Sequence, residues 1–440
     1  MRNAAELLQA PLPLPAPAER PRIAVICPGP WDKVSLGERF DARYALSFHG
    51  EELYEAPSLW KGLRFDVFRW VDRTVESLRG QGLSGVLGTG DYPGCMLAAL
   101  VGERLGLTVP PPESVVRLSH KLYSRRIQRA VVPEATPDFE PVDPFGGLPK
   151  LRSLQYPFFL KPVKGTMSIR AQLVRSPDEF RRAVHFKLRE RIEKSLLLRP
   201  FQQLVRRYTE GDVPAHWFIG ETPLEGVQVT VDGFVQGGVP VVMGIVDSVM
   251  YPGTISFQRF EYPSQLPSGV QERMRDVAVR FMKGAGFDHA CFNIEMFYDP
   301  KRDAVSIIEV NPRMSYQFAD LYERVDGMST YDVQLRLATG TKVGWRPGGG
   351  RDRAAASFVM RRFSDARVLR VPSEAELAWV RERFPGTLVQ LLCDAGERLS
   401  QHDQDVGSFR YAIVNMGAPS RASLFERYRE AEERLTFSFE

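Results

Sequence analysis

Cys291-Phe292-Asn293-Ile294-Glu295-Met296-Phe297 runs into the turn-rich Tyr298-Asp299-Pro300-Lys301-Arg302-Asp303 and then into Val305-Ser306-Ile307-Ile308-Glu309-Val310-Asn311-Pro312-Arg313. Two runs of β-formers around turn residues predict an antiparallel hairpin. With the turn centred near residue 302, Glu295 lies opposite Glu309, and directly opposed positions bring Cβ atoms to ~4.5–5.5 Å. The two-residue period of a strand puts Asn311 on the face of Glu309, together with Cys291, Asn293 and Ile307. Ser306, Ile308 and Val310 take the other face, so both faces read as largely buried. The alternative is an exposed hairpin whose acids face water.

Two carboxylates forced together repel, and the pKa of one rises unless a cation neutralises them. The donors are oxygen atoms only: Glu295, Glu309 and the Asn311 amide. That set suits Mg²⁺ held jointly with substrate phosphates, or Mn²⁺ in its place, rather than Zn²⁺. Arg313, just beyond Pro312, adds a fixed fork of donors where a phosphoryl group would sit.

Further cations lie upstream. Lys161 ends the apolar strand Phe158-Phe159-Leu160, so its Cα is interior while its ammonium must find an anion or water. Lys121 is a similar case on the helical stretch that follows Pro110-Pro111-Pro112. Between Lys161 and the hairpin, Val227, Val229 and Val231 alternate with Gln228, Thr230 and Asp232, which predicts a strand turning at Asp232-Gly233 into a second strand over Phe234–Met250. Residues 271–284 read as a helix. His289 stands alone near the hairpin and is expected to be structural. Tyr251-Pro252-Gly253-Thr254-Ile255-Ser256-Phe257-Gln258-Arg259-Phe260 is a candidate loop over an acceptor site. Arg259 is its candidate carboxylate partner, with a surface ion pair as the alternative, and Tyr316 and Gln317 are candidate pocket lining.

Toward the N-terminus, Arg22–Cys27, Phe65–Phe68 and Gly85–Gly88 read as buried parallel strands alternating with helices near Val71–Arg79 and Cys95–Leu107. This is a Rossmann-like layer over residues 21–112. Gly88-Thr89-Gly90-Asp91 lacks the third glycine and the downstream acid of a dinucleotide loop and reads as an ordinary strand-to-helix turn. The triple proline marks one boundary and Trp345-Arg346-Pro347-Gly348-Gly349-Gly350 a second. The expected units are a flexible arm (1–20), the layer (21–112), a central domain (113–345) and a small C-terminal α/β domain (346–440). Residues 181–207 form a strongly basic helical stretch, read as a solvated face with a polyanion contact as the alternative.

Composition agrees with a soluble globular protein of this size. The chain has 440 residues, 43% of them hydrophobic and 25% charged, which excludes disordered, collagen-like and coiled-coil classes. A net charge of +4 creates no global field that would demand nucleic acid or a membrane. Cys27, Cys95, Cys291 and Cys393 show no zinc spacing and read as buried reduced thiols of a cytoplasmic protein. No apolar run approaches the ~18–20 residues of a membrane span.

Taken together, these motifs resemble the ATP-grasp superfamily, within it the carboxylate–amine ligases of biotin-carboxylase-like architecture. The likeness runs over residues 21–440: a pre-grasp layer, Ser119-His120-Lys121, Phe159-Leu160-Lys161-Pro162, a hinge from Phe218 to Gln228, and the set Glu295, Glu309-Val310-Asn311-Pro312-Arg313. The resemblance implies a mixed α/β and α+β fold, a Rossmann-like domain followed by the grasp fold and the small C-terminal domain. It implies ATP and Mg²⁺ as cofactors, small-molecule carboxylate and amine substrates, and compatibility with a homodimer. Lys121 and Lys161 would contact ATP phosphates, with Gly165, Thr166 and Ser168 cradling them. Glu221 and Leu224 would lie by the adenine, and Gln228 would stand where relatives often carry a ribose-binding glutamate. Glu295, Glu309 and Asn311 would hold the metal, and Arg313 would stabilise the transferred phosphoryl group. The implied reaction is amide formation through an acyl phosphate, with release of ADP and phosphate. Two departures stand out. Val163-Lys164-Gly165-Thr166-Met167-Ser168 has a single glycine, and Met314-Ser315-Tyr316-Gln317-Phe318 replaces the runs typical of biotin carboxylases, which argues against bicarbonate and biotin as substrates. A nucleotide-binding scaffold without ligase activity and a polyanion binder are the competing expectations.

Overall fold

Three short parallel strands open the chain: β1 (Arg22–Ile26), β2 (Ala45–His49) and β3 (Leu83–Leu87), in the order β2-β1-β3. They alternate with helices α1 (Pro30–Phe40), α2 (Val67–Leu78) and α3 (Met96–Leu105). The computed structural model describes residues 20–53, 65–149, 151–165, 170–186, 188–402 and 407–440. Of the expected arm, residues 1–19 lie outside them. The Rossmann-like layer is present, with one correction. Phe65–Phe68 is not a strand, because Asp66 is the N-cap of α2 and its carboxylate accepts the Arg69 N–H at 2.9 Å. A capping acid before an apolar stripe outweighs the β preference of the phenylalanines. The second strand is β2, as short as β1 and β3 but half-buried throughout at the sheet edge, so it lacks the fully buried run of β1.

Helices α4 (Pro112–Ser119) and α5 (Lys121–Val131) follow the triple proline and break at His120. A four-stranded antiparallel sheet then forms from β4 (Phe139–Val142), β5 (Phe158–Pro162), β6 (Gln172–Val174) and, beyond α6 (Pro177–Ala183) and α7 (Leu188–Tyr208), β7 (Phe218–Glu221). Its order is β4-β7-β5-β6. The basic stretch expected as helical is therefore two helices, with Lys187 outside the described residues.

The second sheet is built from β8 (Val227–Gln236), β9 (Val239–Met250), β10 (Phe257–Tyr262), α8 (Ser268–Gly284) packed on it, β11 (Ala290–Asp299) and β12 (Ala304–Asn311). After α9 (Ala319–Asp326) and α10 (Thr330–Ala338) the chain adds β13 (Ala354–Arg362), β14 (Val368–Arg370), α11 (Glu374–Arg383), β15 (Leu388–Leu391), β16 (Phe409–Ala418), α12 (Arg421–Arg434) and β17 (Ser438–Phe439). The order is β12-β11-β8-β9-β10-β13-β16-β15, so one antiparallel sheet runs from the metal-like hairpin into the C-terminal segment across the Gly348–Gly350 loop. The hairpin turn expected at Asp232-Gly233 falls instead at Gly237-Gly238, whose φ angles of +63° and +76° suit glycine. Gly233 stays inside β8, because a Cβ there would lie 2.3 Å from the Phe292 ring and 2.4 Å from the Val241 carbonyl.

The main apolar core joins the N-terminal layer to the central sheet, with Ala24 and Ile26 in the same cluster as Val229, Ile294 and Val310. All four cysteines are buried thiols. Among the described residues no helix is long and apolar enough to cross a membrane.

Candidate active site

β11 and β12 pair with Glu295 opposite Glu309 and Asn293 opposite Asn311. At the turn end Asp299 pairs with Ala304, and a bulge between the pairs Met296–Ile307 and Glu295–Glu309 inserts Ile308 and sets the acids opposite each other. The bulge also corrects the expected faces. Ile307 does not share the acidic face; it packs with Val305, Val310, Ile294 and Met296 in the main core.

Behind the acids a chain of amides crosses three strands. Asp232 on β8 accepts the Asn293 amide N–H at 2.8 Å and the Tyr322 hydroxyl at 2.9 Å. Because a carboxylate only accepts, Asn293 presents its NH₂ to Asp232 and its oxygen to the Asn311 NH₂, at 3.2 Å. Asn311 is left with its own oxygen as the atom it could offer to a cation. Gln228, expected near a ribose, donates to the Glu295 carboxylate at 3.0 Å. Burial, then the facing Glu309, pushes the Glu295 carboxyl up to about 7, against the pull of Arg313 and Lys121. Burial likewise lifts Asp232 to about 6.

Three lysines meet this face, each resting on a carboxylate. Lys121 lies 2.6 Å from Glu309 and also donates to the Gly165 carbonyl at 3.1 Å. Burial pulls its pKa down, but Glu309, with Asp91 and Glu295 behind it, leaves the ammonium above its usual range. Lys161 pairs with Glu221 at 2.8 Å and donates to the Ile308 carbonyl at 3.1 Å. Burial holds Lys161 below its usual value; Glu221 opposes this, while Arg125, which shares that carboxylate, works with the burial. Lys164 pairs with Asp91 at 3.0 Å and sits over the rings of Tyr92 and Phe201.

Asp91 and Lys164 were not singled out by their sequence. Asp91 belongs to the turn after β3 that reads as ordinary, and its position at the carboxyl end of a parallel strand is the signal that marks ligand-facing loops in such layers. It is held below the usual carboxylate range, because Lys164, Arg313 and Lys121 together outweigh its burial. Arg313 is half-buried, donates to the Met314 carbonyl at 3.1 Å and is close enough to Glu295 and Asp91 to influence both. Arg125, fully buried, is a further cation that sequence reasoning passed over.

The other candidates divide. Gln317 donates to Ser357 at 2.9 Å, and Tyr316 beside it is exposed. Leu224 is half-buried in the link between β7 and β8. His289 precedes β11 with φ +53°, next to Asp288 and far along the strand from Glu295. Thr166 and Ser168 lie outside the described residues. Arg259 is not brought to the acids. Glu295 shares its sheet face with Thr230 and Val246 through paired positions, whereas Glu261, two residues after Arg259, pairs with Asp247 on the opposite face. There Arg259 bonds Glu261 at 2.6 Å and covers Phe425.

The oxygen-only donor set fits a hard divalent cation. Lys121 already places a positive charge 2.6 Å from Glu309, and the hydrogen bond from the Asn311 NH₂ to Asn293 leaves the Asn311 oxygen without that partner. Among the described residues no cluster of three or more His, Cys, Asp or Glu has metal-binding geometry, so the third protein ligand on offer is the Asn311 amide.

No curated protein sequence matches the chain significantly. A family model of the ATP-grasp domain matches residues 154–321, a span that holds Lys161, Glu221, Glu295, Glu309, Asn311 and Arg313. Solved structures resemble the chain over nearly its full length. The L-amino acid ligase from Bacillus licheniformis is 16% identical, with a TM-score of 0.73 over 96% of this chain and 99% of that one. The N5-carboxyaminoimidazole ribonucleotide synthetase from Thermotoga maritima is 12% identical, with a TM-score of 0.65 over 96% and 100%. The biotin carboxylase from Campylobacter jejuni is 13% identical, with a TM-score of 0.62 over 95% and 92%. At such identities the likeness concerns the fold. The chain therefore carries an ATP-grasp domain over residues 154–321, inside a fold that it shares with these solved structures.

Proposed function

We propose that this protein is a cytoplasmic, ATP-dependent carboxylate–amine ligase that forms an amide bond through an acyl phosphate and releases ADP and phosphate. The observation that carries the proposal is the opposed pair Glu295–Glu309, with Asn311 two residues after Glu309 and Lys121 and Lys161 bonded to Glu309 and to the Ile308 carbonyl. Glu295, Glu309 and Asn311 would hold Mg²⁺, which when bound neutralises phosphate charge and polarises the phosphoryl group. The resemblance of the L-amino acid ligase supports small molecules bearing a carboxylate and an amine as the substrate class.

The chain's own residues bind and neutralise. In the resting protein these three lysines are paired with Glu309, Glu221 and Asp91, so each of the three charges is matched. Lys121, now paired with Glu309 and bonded to the Gly165 carbonyl, would take a phosphate oxygen when a metal engages that carboxylate, with Gly165 beside the phosphates. Lys161 keeps its carbonyl contact at Ile308 and faces the phosphates, while Glu221 and Leu224 border the adenine. Arg313 stabilises charge developing on the transferred phosphoryl group as a substrate carboxylate oxygen attacks it. The amine then opens the acyl phosphate, and phosphate leaves. Tyr316 and Gln317 are assigned to the acceptor pocket; Arg259 is not.

The test is an ADP-release screen over pooled carboxylates and amines, with wild type and Glu309→Gln. Substrate-dependent, Mg²⁺-dependent release that falls about 100-fold or more in the variant is expected. Release independent of both substrates rejects a ligase, and release unchanged in Glu309→Gln rejects the metal assignment.

A further inference from the structure

α5 carries Lys121 at its start and Arg125 one turn later, and positions four apart share a helix face. Arg125 is 1% exposed. A guanidinium stays charged at any physiological pH, so it tolerates such burial only when its donors are matched. Its Nε donates to Glu221 at 2.7 Å, Nη1 to the Ile307 carbonyl at 2.8 Å and to the Gln128 side chain, and Nη2 to the Ile308 carbonyl at 2.8 Å.

These acceptors belong to two different sheets. Glu221 ends β7 of the four-stranded sheet, and Ile307 and Ile308 lie on β12, the edge of the eight-stranded sheet. An edge strand has carbonyls with no neighbouring strand to bond them. The two that Arg125 takes are those of the bulge, immediately before Glu309. The Ile308 carbonyl is also bonded by Lys161, and Lys161 shares Glu221 with Arg125. One guanidinium therefore bonds both Glu221 and the Ile308 carbonyl that hold Lys161, and the bulge next to Glu309, with no bond to Lys161 or Glu309.

Building on the nucleotide-dependent reading above, we infer that Arg125 is a positioning residue for the nucleotide site. It fixes the Ile308 bulge, and with it the direction of Glu309, against the facing sheet, and by sharing Glu221 it leaves Lys161 available to a phosphate. Without Arg125 the whole charge of Glu221 falls on Lys161. A buried one-to-one pair in a dry site gives up its ammonium to a phosphate much less readily than a shared one. A merely structural arginine has no such link to the charge on Glu221.

Calorimetric titration of MgADP into full-length wild type, Arg125→Lys, Arg125→Met, Glu221→Gln and the Arg125→Met/Glu221→Gln double variant tests this, with the melting temperature of each. MgADP needs no turnover to be read. We expect Arg125→Met to bind about 10–100-fold more weakly, the range for removing a residue that supports metal ligands. Arg125→Lys should fall between, and the double variant should return to within a few-fold of Glu221→Gln. Folded Arg125→Met that binds like wild type overturns the inference, as does a double variant no better than Arg125→Met. Should Arg125→Met not fold, Arg125→Lys binding like wild type overturns it. Wild type that takes up no MgADP overturns the proposed function itself, a different result from either.

Discussion

The Asn311 amide is fixed because Asn293 accepts its N–H, and Asn293 does so because Asp232 accepts from Asn293 in turn. The orientation of one proposed ligand is thus set two strands away by a carboxylate. Glu295 shows the cost of the arrangement. Its carboxyl is pushed up to about 7, so below that pH the folded protein holds a proton there that a metal must displace. Mg²⁺ uptake by the nucleotide-free protein should therefore tighten as pH rises from 6 to 8, and calorimetry should show a proton released on binding at the lower pH. In the same protein without metal the sign for stability is opposite. The folded state binds that proton more tightly than the unfolded chain, so stability from this group declines as pH rises from about 4.5 toward 7. Metal affinity flat across pH 6–8 would rule out Glu295 as a ligand.

At the scale of elements, the β11–β12 hairpin depends on its bulge. Expecting a turn centred at residue 302 puts the two glutamates opposite each other, and they are opposite, but Ile308 supplies the extra residue that makes them so. The hairpin in turn rests on β8, where Gly233 admits the Phe292 ring and the Val241 carbonyl. Gly233→Ala should destabilise the protein by about 1–3 kcal/mol, the usual cost of overpacking, and lower the denaturant midpoint without changing the slope. An unchanged midpoint would show that the ring has room to move. The hairpin and its acids were legible in the sequence because alternation and turn residues are local. The bulge was not, since an inserted residue leaves no mark in a run of β-branched side chains.

In the whole molecule, the N-terminal layer is bound to the rest through charge as well as apolar packing. Tyr331 on α10 donates to the buried Asp32 of α1 at 2.6 Å, Thr89 donates to the other oxygen at 2.6 Å, and Asp91 holds Lys164. The C-terminal segment continues the central sheet through the β10–β13 pair. These links predict one cooperative unfolding transition despite the length of the chain. Tyr331→Phe leaves a buried carboxylate oxygen without its donor, which costs about 1–3 kcal/mol. Denaturant unfolding followed by fluorescence and by circular dichroism should shift together by that amount. Two separated transitions would mean that the layer folds on its own.

The sequence by itself determined the β11–β12 hairpin, the opposed glutamates, the asparagine on their face and the lysine at the end of an apolar strand. Each follows from spacing within about twenty residues. Tertiary structure alone decided the partners: Arg125 on the bulge, Asp91 on Lys164, Gln228 on Glu295 and Arg259 turned to the far face. Those pairings depend on strand order and on how two sheets and a parallel layer meet, and residues as distant as Arg125 and Ile308 carry no local signal that they will touch. The near-zero net charge has the same character. It conceals buried ion pairs, some of them shared as at Glu221, and only the fold states which charge answers which.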